Sequence, residues 1–169
     1  MSDELPERMR ALPLFKGLPI PFFTLIRDGV PDFRAHEASR HAASMLRRLC
    51  GICGSPLDYW ITFIVGPITY KSRLTYMPGM HEDCARTALE ICPFLAREER
   101  TYSEAPLKSG NVAIATPPPK PDRQAFVKVR SYEVVHRAPE QGMEYAQFAP
   151  PRFTTWYRYR DGRLAPESP

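Results

Sequence analysis

Leu49-Cys50-Gly51-Ile52-Cys53-Gly54-Ser55-Pro56 and His81-Glu82-Asp83-Cys84, separated by residues 57–80, are the stretches whose reading decides how this chain folds. A Cys-x2-Cys in a tight turn lets two thiolates converge on one ion, and Gly51 and Gly54 supply the backbone freedom that such a knuckle demands. Ligands three apart at the start of a helix project from nearly the same face, so His81 and Cys84 supply the other two corners of a tetrahedron. Three thiolates and one imidazole suit zinc, and four protein ligands leave no open position for chemistry. The expectation is therefore a structural Zn2+ held by Cys50, Cys53, His81 and Cys84. Two other readings compete with it. The residues could be unrelated buried cysteines and a surface histidine, or Cys50 and Cys53 a thioredoxin-like redox pair. The second needs a helix running through the second cysteine and a βαβ surround, whereas Gly54-Ser55-Pro56 follows here. Cys92 competes for a ligand place. It lies eight residues beyond Cys84, about 12 Å along a helix, and on the apolar stripe of Ala85, Ala88 and Leu89, which reads as a core thiol.

Working outward from the knuckle, residues 37–49 carry apolar Ala38, Ala42, Met45, Leu46 and Leu49 at helical spacing, an amphipathic helix that delivers the chain to Cys50. The β-branched and aromatic run Tyr59-Trp60-Ile61-Thr62-Phe63-Ile64-Val65, the breaker Gly66-Pro67 and an extended stretch to Tyr76 read as a long hairpin. His81 then opens a second helix with Glu82 and Asp83 in its first turn, where they suit the helix dipole, and Pro93 ends or kinks it. Knuckle, hairpin and helix start together predict an α+β, zinc-stapled, treble-clef-like core over residues 37–96. Before it, residues 1–36 read as a lead-in without regular structure to about residue 20, then two short strands across the Asp28-Gly29 turn, with Pro31 confining its strand to an edge. After it, residues 97–124 read as a proline-rich connector with polyproline II at 117–121. Three extended runs at 125–135, 143–148 and 153–159 then predict a small antiparallel sheet within residues 125–169.

Composition sets bounds on function. The chain has 169 residues, 43 % hydrophobic and 25 % charged, which is ordinary for a globular protein, but its 19 prolines are roughly twice average usage and argue against long uninterrupted helices. A formal net charge of +4 and pI near 9.0 are mildly basic, compatible with nucleic acid yet short of a polycationic binder. No stretch approaches the roughly 18 apolar residues of a membrane span, and MSDELPERMR has no hydrophobic signal core. The expected location is the cytoplasm, where thiols stay reduced and clustered cysteines are ligands rather than disulfides.

Other chemistry-bearing residues are few. Arg152-Phe153-Thr154-Thr155-Trp156-Tyr157-Arg158-Tyr159-Arg160 interleaves rings and guanidinium groups as a single-stranded nucleic-acid platform does, which makes Arg152, Trp156, Arg158 and Arg160 candidate contacts. The same alternation also fits a half-buried strand. Ser131 has no partner histidine or acid at a motif spacing, and residues 54–80 lack the histidine that an HNH-type nuclease would need on its hairpin. His36 and His41 read as solvated or packing residues. No catalytic residue is assigned.

Cys50-Gly-Ile-Cys53-Gly-Ser-Pro-Leu57, Phe63-Ile-Val-Gly-Pro67, His81-Glu-Asp-Cys84-Ala85 and Cys92-Pro-Phe-Leu95 resemble the C-x2-C-G-x-x-L, F-V-I-G-P, H-x2-C-A and C-P-F-L segments of a family of small uncharacterised phage and bacterial proteins. The resemblance implies a phage or prophage origin, hence a host cytoplasm, and no assigned activity. It departs after Gly66-Pro67, where Ile68-Thr-Tyr-Lys71 replaces a Met-Cys-Ala run. Because the pattern includes Cys92, it keeps Cys92 as an alternate ligand in place of His81. The function expected from all this is a non-catalytic zinc-binding module that binds nucleic acid through a basic, aromatic surface. A host-factor-binding protein module is the alternative, and a metal-dependent hydrolase or nuclease stands third.

Overall fold

The computed structural model describes residues 5–98, 112–113, 120–136 and 144–168, an α+β chain of small antiparallel sheets and a few short helices. The lead-in is more ordered than its composition predicts. A 3-10 turn at Glu7–Met9 buries Met9, and β1 (Leu14–Phe15) pairs with β2 (Leu18–Pro19) across Lys16 and Gly17, whose φ angles of 50° and 81° are what a two-residue type I′ turn needs. Asp28 and Gly29 repeat that geometry, with φ of 49° and 77°, between β3 (Thr24–Arg27) and β4 (Val30–Glu37). Pro31 lies in β4 away from His36 and Glu37, the only β4 residues whose far edge is joined by another strand among the described residues, so its missing N–H leaves no ladder bond open there.

Helix α1 (Ala38–Leu46) starts on the Glu37 carboxylate, which accepts from the backbone N–H groups of Ser39 and Arg40 at 3.3 and 2.8 Å. It stops short of residue 49 because Arg48 takes a φ of 54° and turns the chain into the knuckle. The long hairpin predicted over residues 59–76 does not form. Strand β5 (Ile61–Val65) is followed by α2 (Pro67–Ser72), because proline with its fixed φ is pre-organised for a helix's first position. Arg73 closes α2 with a φ of 57°, and β6 (Leu74–Thr75) pairs elsewhere. What remains of the hairpin is one bridge, in which Thr62 and Met80 exchange two backbone hydrogen bonds of 2.9 Å. That bridge returns the chain to β5 immediately before His81, where α3 (Glu82–Ile91) and the single turn α4 (Pro93–Ala96) follow.

After β7 (Val112–Ala113), which pairs with the end of β4, come β8 (Arg123–Val129), β9 (Tyr132–His136), β10 (Glu144–Phe148), β11 (Phe153–Arg160) and β12 (Arg163–Pro166). The predicted run at 125–135 is thus two strands, broken at Arg130-Ser131. The connector predicted over 97–124 lies mostly outside the described residues, as do Pro117 to Pro119. Antiparallel pairing gives one sheet in the order β12-β11-β8-β5 and another in the order β6-β10-β9.

The four-stranded sheet divides two cores, and β5 and β8 are apolar at successive positions because both of their faces are covered. Ile61, Phe63, Val65, Ala125, Val127 and Val129 point to one side, against Met45, Tyr132, Ala146 and Phe148. Phe126, with Ile64 and Tyr157, packs on the other side, against Cys84, Ala85 and Leu89 of α3, Cys50 and Ile52 of the knuckle, and Met9, Phe23 and Met80. Gly79 has no room for a side chain: a Cβ there would lie 2.6 Å from Ile61 Cγ2. Gly79→Ala is expected to destabilise the fold by about 1–3 kcal/mol, the usual cost of overpacking, read as a lowered urea midpoint at unchanged slope.

His36 and His41 are packing residues. They are 6 % and 0 % exposed and stack at 5.2 Å, His36 lies edge-on to Phe23, and His41 Nε2 sits 2.6 Å from the Tyr76 carbonyl. Burial, and secondarily the neighbouring His41, push the His36 pKa down to about 3. In the unfolded chain it returns to about 6.5, so between those values the unfolded state binds the extra proton and stability falls as pH falls. Replacing His36 with Phe removes this contribution. The stability-versus-pH slope below about pH 6.5 should become shallower than wild type by up to one proton, about 1.4 kcal/mol per pH unit, in urea titrations at descending pH.

Candidate metal centre

The knuckle is set by backbone before any ion is considered. Cys50 N donates to the Ser55 carbonyl and Gly54 N to that of Cys50, both at 2.8 Å, and Leu49 bridges Pro56 at the base of the turn. Gly54 takes a φ of 76°, and a Cβ there would meet the Phe22 ring at 2.8 Å, so both conformation and space require glycine. Gly51 N donates to Gly79 O at 3.0 Å, tying the knuckle to the segment that ends in His81. His81 is the N-cap residue of α3 with its ring free of any capping bond, and Cys84 follows within the first turn.

These constraints bring Cys50, Cys53, His81 and Cys84 together, with all four donor atoms within 4.8 Å of one another. The Nδ1 atom of His81 lies 3.4 Å from Cys53 Sγ and 4.0 Å from Cys84 Sγ. Those values bracket the roughly 3.6 Å edge of a tetrahedron with metal–sulfur and metal–nitrogen bonds of about 2.3 and 2.1 Å. The other ring nitrogen settles the tautomer. His81 Nε2 donates to the Pro56 carbonyl at 2.8 Å, so in the neutral imidazole that a metal requires the lone pair is on Nδ1, the atom that faces the sulfurs, as with the outer hydrogen bond of a metal-ligating histidine. Asp58 Oδ2 lies 3.8 Å from the same nitrogen, and Arg8 clamps Asp58 and Asp83 at 3.1 and 3.2 Å. Cys50 and Cys84 are fully buried, His81 is 1 % exposed, and Cys53 alone is partly open.

Three of these side chains shift strongly, in opposite directions. Hydrogen bonds from Cys50 and Cys84 hold the Cys53 thiol far below its usual pKa, while Cys50 and Cys53 drive Cys84 far above it. Burial opposes a charge on His81, but its bonds to Cys50 and Cys53 outweigh burial and raise it to about 10. The four residues can hold a metal ion.

Cys92 is not part of this group. It caps α3 at one side and opens α4 at the other, half-buried, with burial pushing its thiol up. Its place follows from its distance along the helix axis, since Cys84 occupies the first turn and Cys92 follows the last.

The candidate nucleic-acid residues separate in space. Trp156 is half-buried against Tyr70 with the Arg123 guanidinium 4.3 Å above its ring, and Arg158 is paired with Glu167 at 2.9 Å, while Arg152 and Arg160 are exposed. Sequence reading missed a second ring cluster, at the end of the sheet nearest the metal centre. Phe153, on the α3 side of the sheet, meets Trp60 at 5.4 Å, Trp60 meets Tyr59 at 5.4 Å, and Lys128 and Arg130 lie over these rings. No linear signal joins residues 59–60 to 153; only the β5-β8-β11 pairing does. In comparisons with known proteins, no family model, no curated protein and no solved structure matches the chain.

Proposed function

We propose that this chain is a non-catalytic zinc-binding module that engages nucleic acid. The observation that carries the zinc reading is the closed donor set: three sulfurs and the Nδ1 of His81 within 4.8 Å, the imidazole oriented by the Pro56 carbonyl. Sulfur-rich four-coordinate sites select zinc and leave no position for a reacting water. The arrangement is treble-clef-like, with the knuckle at residues 50–53, a strand pair shrunk to the Thr62–Met80 bridge, and α3 presenting Cys84. Zinc here would act structurally, because Cys50 and Cys84 also belong to the core on the α3 side of the sheet, so binding free energy becomes folding free energy. The nucleic-acid part is supported by the net charge of +4 and by cations stationed over aromatic rings, the two ingredients of backbone and base contact.

The test is elemental analysis of the purified chain with thermal melting before and after a strong chelator. One zinc per chain and a collapsed transition after chelation are expected. A chain that carries no metal and melts identically in chelator would overturn the zinc reading. Binding to nucleic-acid probes that weakens steeply with salt is expected alongside, and no binding at low salt would overturn the second part.

A further inference from the structure

We propose that the nucleic acid is single-stranded and that its bases stack on the patch formed by Tyr59, Trp60 and Phe153 with Lys128, Arg130 and Arg152, rather than on the Trp156 face of β11; this rests on the nucleic-acid reading above. Tyr59 and Phe153 are 62 % and 58 % exposed, large ring areas for a protein to leave in water. They flank Trp60 in successive edge-to-face contacts, with interplanar angles of 83° and 71°, so the rings form a stepped surface on which flat bases can lie rather than one packed sandwich. Strand register explains the convergence: Lys128 stands opposite Phe153 on one side and Thr62 on the other.

Charge favours a polyanion over an apolar partner. Arg130 stands 3.5 Å from the centre of the Tyr59 ring and 5.1 Å from that of Trp60, and Lys128 lies 5.5 Å from both Trp60 and Phe153. Lys128 is paired with Glu82, which also takes Arg86; no carboxylate pairs with Arg130 or Arg152 among the described residues. Asp58 at the rim is held by Arg8. Lys128 and Arg130 therefore lie over the three rings, exposed Arg152 adjoins Phe153 in sequence, and the nearby carboxylates Glu82 and Asp58 are each paired with a cation. A duplex hides its base faces, whereas a single strand presents them, and every base has one. Tyr59 and Trp60 also lie close to the metal centre in sequence, three and four residues after Pro56, whose carbonyl holds His81.

The deciding experiment uses the zinc-loaded full chain and fluorescence anisotropy with labelled oligothymidine, oligouridine, an abasic strand and a duplex, each of roughly 20 nucleotides. Oligothymidine and oligouridine are expected to bind at least about tenfold more tightly than the abasic strand, and Tyr59→Ala or Phe153→Ala should each weaken them about tenfold. Arg130→Gln should lower the slope of log affinity against log salt by about one, and Arg158→Gln should change nothing. Zinc content and melting are measured on every sample. In a Trp156→Phe background the remaining Trp60 fluorescence should be quenched by oligothymidine. Equal affinity for abasic and base-bearing strands overturns the proposal, as do patch variants that bind normally. Nucleic acid lost on Arg158→Gln or Arg160→Gln but not on the patch variants also overturns it and leaves the nucleic-acid reading standing. A zinc-loaded, folded chain that binds no probe overturns both, and a chain that binds through the patch without metal overturns the zinc reading alone.

Discussion

Replacing Cys84 with Ser is expected to cost the chain both its metal and its cooperative fold. Serine is nearly isosteric with cysteine, so the packing of Cys84 against Ala85, Leu89 and Phe126 is largely kept and the change isolates ligation. A structural zinc site of this kind contributes about 10–16 kcal/mol of apparent binding free energy at neutral pH. Small domains are stable by about 5–15 kcal/mol in total, so losing most of the metal term removes as much free energy as the whole fold holds. The hydroxyl is also a poor replacement, since it does not ionise near neutral pH and is left buried on the core side of α3. Zinc stoichiometry and a urea titration read the result: wild type should hold one ion and unfold in a single transition, and the Cys84→Ser variant should hold much less and unfold broadly. Cys92→Ser is the matched comparison. Half-buried between α3 and α4 and outside the donor group, it should keep its zinc and shift stability by about 1 kcal/mol or less. Reversal of these two outcomes would move the fourth corner of the site to Cys92.

What could be read without the structure, and what could not, follows from the range of the interactions. Cys50 with Cys53, and His81 with Cys84, are pairs set by a single turn of backbone, and local geometry is what residue spacing encodes. The Asp28-Gly29 turn was legible for the same reason. The stretch from Tyr59 to Tyr76 was not. Gly66-Pro67 serves equally as a hairpin breaker or as the N-cap and first residue of a helix, and the choice was made by β5 pairing with β8 and β6 pairing with β10, both distant in sequence. His36 and His41 carry no pattern that separates a solvated imidazole from one stacked in the interior, yet the fold stacks the two together. The alternation in β11 correctly divided Phe153 and Tyr157 from Trp156 and Arg158. It could not show that the first face opens next to Trp60 while the second closes against Tyr70 and Glu167.

Phe63→Ala is expected to be the most damaging change that leaves every metal ligand intact. Phe63 is fully buried on β5, stacks on Phe148 at 5.2 Å with 22° between planes, and meets Tyr132 edge-on at 6.0 Å. Truncating such a side chain removes its transfer free energy and leaves a cavity, for a total of about 3–5 kcal/mol. Collapse cannot relieve much of this, because Ile61 and Val65 beside it and Val127 opposite it are held by the β5-β8 ladder. The side of the sheet matters to the outcome. Phe63 faces Met45 and Phe148, whereas the metal group lies across the sheet with Phe126 and α3. The folded fraction of the variant should therefore still bind one zinc, with the urea midpoint lowered and zinc released at that lower midpoint. Phe153→Ala, a phenylalanine on the same sheet but 58 % exposed, should move the midpoint by about 0.5 kcal/mol or less. If Phe63→Ala cost less than about 1 kcal/mol, or lost zinc while still folded, the sheet would not separate two cores as the packing indicates. The metal could then not be stapling one face while aromatic packing holds the other.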